Sequence, residues 1–234
     1  MKKIKKNLSA ILAAAVIFGM AATHAYADKL DFENGILYSY DDNSAQIGKY
    51  SGWAETDSVS RRYVDGKPYT GWLKNKDGTY KYVLDGFLVK GEMPIKNTVF
   101  TFNENGILIN RETAKISAVQ DGTIYSGANQ IEVSVKAVSR SEYSMYNAEK
   151  FERWEKGEWV DCLGKDVEYE KAAAIYDIKF GYIDEVIVFE PERYTGKAVE
   201  AGYYRITFPA SDDLNGTDGF NVYAVIEVKN NKAY

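Results

Sequence analysis

The sequence predicts an all-β fold in which an N-terminal, solenoid-like array of β-hairpins is followed by a β-sandwich. The dipeptides Asp65-Gly66, Asp85-Gly86 and Asn105-Gly106 recur at intervals of 20 residues among aromatic and β-branched residues. A short unit closed by a hairpin turn cannot bury its own apolar face, so consecutive units must stack. Beyond residue 116, short runs of alternating apolar and polar residues are separated by turn residues, which is typical of half-buried strands.

The first 27 residues have the order of a secretory signal peptide. Four lysines are followed by an apolar run from Ile11 to Met20 and by Ala25-Tyr26-Ala27, a small-residue cleavage site. The apolar run is about half the roughly 20 residues that span a bilayer. We therefore expect residues 1–27 to be removed, no membrane span in the remaining chain, and a secreted or cell-surface location in a bacterium.

Charge and composition exclude several function classes. Without residues 1–27, 25 basic residues face 34 acidic ones, a net charge of −9. Nucleic acids and anionic membranes require clustered Lys and Arg, so neither partner is expected. The only histidine, His24, leaves with the signal peptide, which excludes histidine-based triads and histidine-ligated zinc. Cys162 is the only cysteine, so no intramolecular disulfide is possible, and we expect a small buried apolar residue.

Residues 28–112 contain the predicted hairpins. The segment from Tyr63 to Trp72 is echoed by Tyr82 to Gly91 and by Phe100 to Ile109, and an outlying copy runs from Leu30 to Tyr38. Asp-Gly and Asn-Gly supply the positive φ that tight hairpin turns require, and the flanking Tyr, Val, Phe and Ile favour a pleated surface. Each copy therefore predicts one β-hairpin.

Residues 116–230 are predicted to form the sandwich. Seven strands are expected, at 130–138, 150–154, 158–161, 176–180, 184–189, 202–208 and 220–228. Seven short strands fit two packed sheets that each bury one face. The segment 165–174 is rich in Glu, Lys and Ala, so it is expected to form a short helical turn.

Two resemblances to known families follow from these segments. Tyr69-Thr70-Gly71-Trp72, Ser51-Gly52-Trp53 and the aromatic pairs at 80–82 and 100–102 resemble the cell-wall-binding or choline-binding repeats of Gram-positive surface proteins, which are similar to glucan-binding repeats. The segments 151–160, 201–208 and 220–228 resemble a bacterial immunoglobulin-like domain. The first resemblance implies ligand binding by repeat aromatics, and the second implies a scaffold or adhesive module without catalytic residues.

The aromatic side chains of the repeats are the candidate ligand-binding site. Aromatic faces stack on sugar rings and attract quaternary ammonium groups. The alternative is that these rings form the core between hairpins, since stacked units of this size have little else to bury. Different rings can serve either role, and the candidates are Trp53, Tyr63, Tyr69, Trp72, Tyr80 and Tyr82.

Two acidic segments are weaker candidates for chemistry. The loop 213–219 has spaced oxygens, but counting from Asp213 gives Asp218 and Ala224 where an EF-hand needs glycine and a bidentate glutamate. A strand-connecting turn is expected there. The carboxylates of the hairpin at 152–161 would have to face each other across about 5 to 10 Å to act as a glycosidase. We expect them to form a solvated face, so neither a catalytic residue nor a metal or other cofactor is predicted.

The leading hypothesis is an exported, non-enzymatic surface protein that binds cell-wall glycan or a teichoic-acid-like polymer through the repeats. The sandwich would be a spacer, an adhesion domain or the surface for a protein partner. One alternative is a structural or protein-interaction scaffold that binds no glycan. Another is an accessory of a cell-wall polymer hydrolase.

Overall fold

The structure is a computed structural model that describes residues 29–41, 43–56, 59–138, 142–162, 175–179, 185–212 and 219–231. The predicted signal peptide, the predicted helical turn at 165–174 and most of the acidic loop at 213–219 lie outside the described residues. Within them the protein is nearly all β, which confirms the predicted fold class.

The first part of the chain forms twelve short strands: β1 (Lys29–Glu33), β2 (Ile36–Tyr40), β3 (Gln46–Lys49), β4 (Gly52–Thr56), β5 (Val59–Val64), β6 (Lys67–Pro68), β7 (Gly71–Lys74), β8 (Tyr80–Leu84), β9 (Phe87–Leu88), β10 (Gly91–Ile95), β11 (Thr98–Phe102) and β12 (Leu108–Thr113). They make four three-stranded sheets in chain order, β1-β2-β3, β4-β5-β6, β7-β8-β9 and β10-β11-β12. Each predicted hairpin is therefore present as a pair of strands.

The three turns that recur at a spacing of 20 residues differ in length. Asp65-Gly66 and Asp85-Gly86 are tight two-residue turns with positive φ at both residues, 49° and 75° in the first. Asn105-Gly106 lies in a five-residue loop, where the amide of Asn103 donates to the carbonyl of Ile107 and the Asn103 side chain accepts from Ile107 N–H. The copies therefore share a hairpin but not a turn length, because spacing in the sequence does not reveal how many residues close a turn.

Neighbouring sheets are joined by the same backbone contacts at two successive turns. The carbonyl of Gly66 accepts from Leu37 N–H at 2.8 Å, and its amide donates to Tyr50 O at 2.8 Å. The carbonyl of Gly86 accepts from Arg62 N–H at 2.7 Å, and its amide donates to Tyr69 O at 2.7 Å. These pairs satisfy polar backbone groups that a buried turn would otherwise leave without partners. The longer solenoid-like regularity stays a prediction.

The later strands are β13 (Ile116–Gln120), β14 (Ile124–Tyr125), β15 (Ile131–Ala137), β16 (Glu142–Tyr146), β17 (Lys150–Glu155), β18 (Glu158–Asp161), β19 (Ile175–Lys179), β20 (Glu185–Phe189), β21 (Gly202–Ser211) and β22 (Gly219–Lys229). One short helix, α1 (Pro191–Thr195), precedes β21 among the described residues. All seven strands that the sequence predicts for this region are confirmed. The strands β13, β14 and β16 and the helix were missed.

Two sheets share the core of this region. One has the order β13-β15-β20, and the other runs β14-β22-β21-β16-β19 with β17 and β18 attached through β21. Their inward side chains form one apolar cluster that includes Ile131, Val133, Val135, Met145, Phe151, Ile187, Ile206, Phe208, Ala224 and Ile226. Buried and more exposed positions alternate along β15, as the period of two in its sequence predicts. Membership of the immunoglobulin-like fold stays a prediction.

The chain divides into two compact units. The first unit contains the described residues up to Leu73 together with Tyr82–Leu88, and the second contains Lys74–Lys81 together with the described residues from Val89 onward. The sheet β10-β11-β12 therefore belongs to the same unit as the sandwich strands. The domain bounds that the sequence suggests, 28–112 and 116–230, stay a prediction.

Candidate functional site

Tyr63 is a core residue of the first unit. Its side chain is 0% exposed and packs with Leu37 and Ala54, with the ring of Phe32 against it at 6.0 Å between centroids. A ring without an open face cannot stack on a ligand, so Tyr63 does not belong to a binding surface. This ring lies on the inward face of β5 and forms part of the core between the strands.

Two other candidate rings of the first unit, Tyr69 and Tyr82, contact Trp72. Trp72 is 37% exposed, and Tyr82 meets it edge-on with ring centroids 5.1 Å apart and planes at 67°. Tyr69 is half-buried, and its hydroxyl donates to the carbonyl of Trp72 at 3.0 Å. We call Tyr69, Trp72 and Tyr82 the Trp72–Tyr82 site.

The same position in the preceding sheet has a different partner. Trp53 is half-buried and lies opposite Arg62 in the antiparallel pairing of β4 and β5. Residues that are directly opposite in an antiparallel pair place their side chains on the same face. The hydroxyl of Tyr50 donates to the carbonyl of Trp53 at 2.7 Å, as Tyr69 does to Trp72. We call Tyr50, Trp53 and Arg62 the Trp53–Arg62 site.

The glycine before each tryptophan makes this arrangement possible. A Cβ on Gly52 would lie 2.4 Å from the hydroxyl oxygen of Tyr50, and a Cβ on Gly71 would lie 2.6 Å from that of Tyr69. Carbon and oxygen atoms do not approach so closely, so only glycine lets the tyrosine reach the tryptophan carbonyl. The Gly-Trp element is thus a backbone requirement of the tyrosine two residues earlier, and it fixes the tryptophan at the start of its strand.

Tyr80 lies in the second unit, so the first unit does not contain all six candidates. Its ring is 43% exposed, and the ammonium group of Lys74 lies 5.8 Å from the ring centroid. An attraction between a lysine and an aromatic face at an exposed position is about 0.5 to 1 kcal/mol. We describe this pair separately from the two sites of the first unit.

Burial shifts the ionisation of one tyrosine in each site. Burial raises the pKa of the Tyr82 hydroxyl, and the nearby Tyr69 raises it further. Burial also raises the pKa of Tyr50, whereas the positive charge of Arg62 lowers it. Both phenols are therefore neutral at physiological pH.

A polar cluster on the large sheet was not foreseen from the sequence. The guanidinium of Arg205 lies 4.9 Å from the ring centroid of Trp159 and 5.1 Å from that of Tyr223. It also forms an ion pair with Glu152 at 2.7 Å, with side chains only 15% and 13% exposed. Arg205 lies between the buried Tyr204 and Ile206 on β21, and the alternation of side chains along a strand would have placed it on the outer face.

The remaining candidates for chemistry are occupied by structural contacts. Glu152 is paired with Arg205, and Glu155 lies 3.7 Å from Arg153, so these carboxylates of the β17–β18 hairpin have cationic neighbours. Cys162 packs against the core, and burial raises the pKa of its thiol to about 11. A thiol with this pKa is protonated at neutral pH and is a poor nucleophile.

Among the described residues, no group of three or more acidic, histidine or cysteine side chains is arranged to hold a metal ion. In the same part of the chain, no helix has the length and apolarity needed to cross a membrane.

Comparison with protein-family models gives no match for this chain, and comparison with curated proteins also gives none. The resemblances to cell-wall-binding repeats and to a bacterial immunoglobulin-like domain therefore stay predictions from the sequence. The two tryptophan sites are the features of the described residues that point most directly to a function.

Proposed function

We propose that this is an exported, non-enzymatic surface protein that docks to a cell-wall glycan or a teichoic-acid-like polymer through the outward aromatic rings of its first unit. The observation that carries the proposal is the Trp72–Tyr82 site. Its indole is 37% exposed and is held in place by Tyr82 at its edge and by Tyr69 at its backbone. An aromatic ring with a fixed orientation and a face open to water is a surface on which the apolar side of a sugar can pack.

Repetition of the tryptophan supports a multivalent mechanism. Trp53 occupies the same position in its sheet as Trp72. Each tryptophan follows a glycine, and its own carbonyl accepts a hydrogen bond from a tyrosine hydroxyl. Each shallow site would bind one sugar weakly. Two sites on one polymer chain would act together, because the second binding event becomes intramolecular and avidity can exceed the single-site affinity by about 10² to 10⁴. A polymer with repeating sugars is the ligand that fits this mechanism.

The alternative of a structural scaffold is favoured by the inward rings. Tyr63 is buried, and the hydroxyls of Tyr50 and Tyr69 bond to the backbone of their own sheets. If every repeat aromatic were structural, the first unit would be a spacer that binds no glycan. The two functions differ in what removal of an outward tryptophan does.

Retention on isolated cell walls of a Gram-positive bacterium tests the proposal. The purified protein is compared with Trp72→Ala, the Trp53→Ala/Trp72→Ala double variant and Tyr125→Ala, which removes a 44% exposed ring from the second unit. Wild type and Tyr125→Ala should be retained equally, Trp72→Ala should be retained less, and the double variant should be lost. Equal retention of wild type and the double variant would favour the scaffold. Release of soluble sugar by the wild type would contradict a non-enzymatic role.

A further inference from the structure

The Trp53–Arg62 site contains a cation where the Trp72–Tyr82 site contains a phenol ring. Arg62 is half-buried, and its Nε lies out of contact with solvent and has no hydrogen-bond acceptor in the described part of the chain. Among the described residues, its side chain forms neither an ion pair nor a hydrogen bond. A guanidinium has five N–H donors in a planar fork, so donors on Arg62 are left without acceptors from the residues that the structure describes.

The neighbouring arginine, Arg61, has a structural role, because its side chain is paired within the first unit. Arg61 lies on the other face of β5, with one terminal nitrogen 2.7 Å from a carboxylate oxygen of Asp85. Its Nε donates to the carbonyl of Asp85 at 3.0 Å, and its guanidinium lies 4.9 Å from the ring centroid of Phe87. Arg61 therefore has polar and aromatic partners inside the first unit, and Arg62 has no such polar partners among the described residues.

The acidic residue closest to Arg62 by register does not neutralise it. Glu55 lies on the same face of β4, two residues beyond Trp53, and its side chain is exposed. No ion pair between Glu55 and Arg62 is formed in the described part of the chain. Among the described residues, the cation thus stands beside a half-buried indole without a counter-charge in contact with it.

We infer that the Trp53–Arg62 site binds an anionic sugar, with the sugar ring on the indole of Trp53 and a carboxylate or phosphate oxyanion on the guanidinium of Arg62. This inference rests on the proposed docking function and specifies its ligand. Arginine suits such an anion, because two of its N–H groups match two oxygens of a carboxylate or a phosphate. The whole chain has a net charge of −5, which repels polyanions, so binding would have to come from this local cation.

Titration calorimetry at low salt with three oligosaccharides of equal length tests the inference. A galacturonate oligomer carries carboxylates, a glycerol phosphate oligomer substituted with galactose carries phosphates, and a galactose oligomer is neutral. The protein variants are Arg62→Gln, Arg62→Lys and Lys49→Gln, the last removing one exposed positive charge elsewhere in the first unit. Thermal unfolding of each variant checks that it is folded.

We expect Arg62→Gln to weaken binding of an anionic oligomer about tenfold, as for loss of one charge-assisted hydrogen-bonded pair. Arg62→Lys should lie between wild type and Arg62→Gln, and Lys49→Gln should bind as wild type does. Affinity for the neutral oligomer should not change in any of these variants. The anionic oligomer that loses affinity identifies the oxyanion as carboxylate or phosphate.

Two results would overturn the inference: equal binding of the anionic oligomers by wild type and folded Arg62→Gln, or no binding of either by wild type. The docking function is judged separately by retention on cell walls. If that retention depends on Trp72 while Arg62→Gln changes nothing, only the anionic specificity falls. If Arg62-dependent binding of an anionic oligomer is found without cell-wall retention, only the cell-wall target falls.

Discussion

The sheets β4-β5-β6 and β7-β8-β9 share one backbone arrangement but differ in the residue that accompanies tryptophan. In both, a tyrosine hydroxyl bonds to the tryptophan carbonyl over a glycine, and an Asp-Gly turn bonds to the preceding sheet. Arg62 lies opposite Trp53, whereas Tyr82 contacts Trp72. The shared glycine, tyrosine and turn therefore fix the position of the tryptophan. One further residue can then set the chemistry beside it without altering the fold.

The largest effect on stability is expected for the inward ring of the sheet β4-β5-β6, compared with the outward ring of the same sheet. Tyr63→Ala removes a fully buried ring from the core of the first unit and should lower the free energy of unfolding by about 3 to 5 kcal/mol. Trp53→Ala removes an outward, half-buried ring and should lower it by much less. Denaturant unfolding of both variants measures the difference. Losses of similar size would mean that Trp53 is a core residue too and would remove it from the candidate surface.

A smaller effect on stability is expected at two turn glycines. Their substitution by alanine separates the cost of a steric clash from the cost of the left-handed backbone conformation. Gly35 and Gly66 both have positive φ, 78° and 75°. A Cβ on Gly35 meets nothing within 4 Å, so Gly35→Ala should cost about 1 to 2 kcal/mol from the left-handed conformation alone. A Cβ on Gly66 would lie 2.7 Å from the carbonyl oxygen of Leu37, so Gly66→Ala should cost about 1 to 3 kcal/mol more. Equal thermal shifts for both variants would show that the contact between sheets does not constrain this turn.

The smallest effect on stability is expected from removal of the tyrosine hydroxyl, and it should have the same size in both sheets. Tyr50→Phe and Tyr69→Phe each remove one hydroxyl-to-carbonyl hydrogen bond, which contributes about 0.5 to 1.5 kcal/mol to stability. Tyr80→Phe serves as a control at an exposed ring. Chemical denaturation should give losses of similar size for the first two variants and no measurable loss for the third. A loss in only one of the two sheets would show that the arrangement is not shared.

Much of the fold follows from local patterns in the sequence. The alternation along β15 and the Gly157 turn between β17 and β18 were enough to place those strands. The strand β16 was missed because Tyr143, Ser144 and Met145 are buried in succession, so Glu142–Tyr146 lacks the alternation that marks a half-buried strand. Its burial depends on β19 and β21, which are distant in sequence, so no local pattern reports it.

The candidate site was predicted in part. Composition and spacing pointed to the aromatic residues of the repeats, but they could not show that Tyr63 is inward while Trp53 is outward. That distinction is set by strand register, in which a shift of one residue exchanges the two faces. Arg62 was overlooked because nothing in the sequence distinguishes it from the adjacent Arg61, which has a structural role. Its meaning appears only when its cross-strand neighbour and its lack of an ion pair among the described residues are known.

The indole N–H signals of the four tryptophans in a ¹⁵N-labelled protein provide the most direct test of glycan docking by the outward rings. Trp53 and Trp72 lie in the first unit, and Trp154 and Trp159 lie in the second. During titration with soluble cell-wall oligosaccharides, the account predicts that the signals of Trp53 and Trp72 shift with ligand concentration while those of Trp154 and Trp159 stay in place. Signals that do not move, or shifts confined to Trp154 and Trp159, would contradict it.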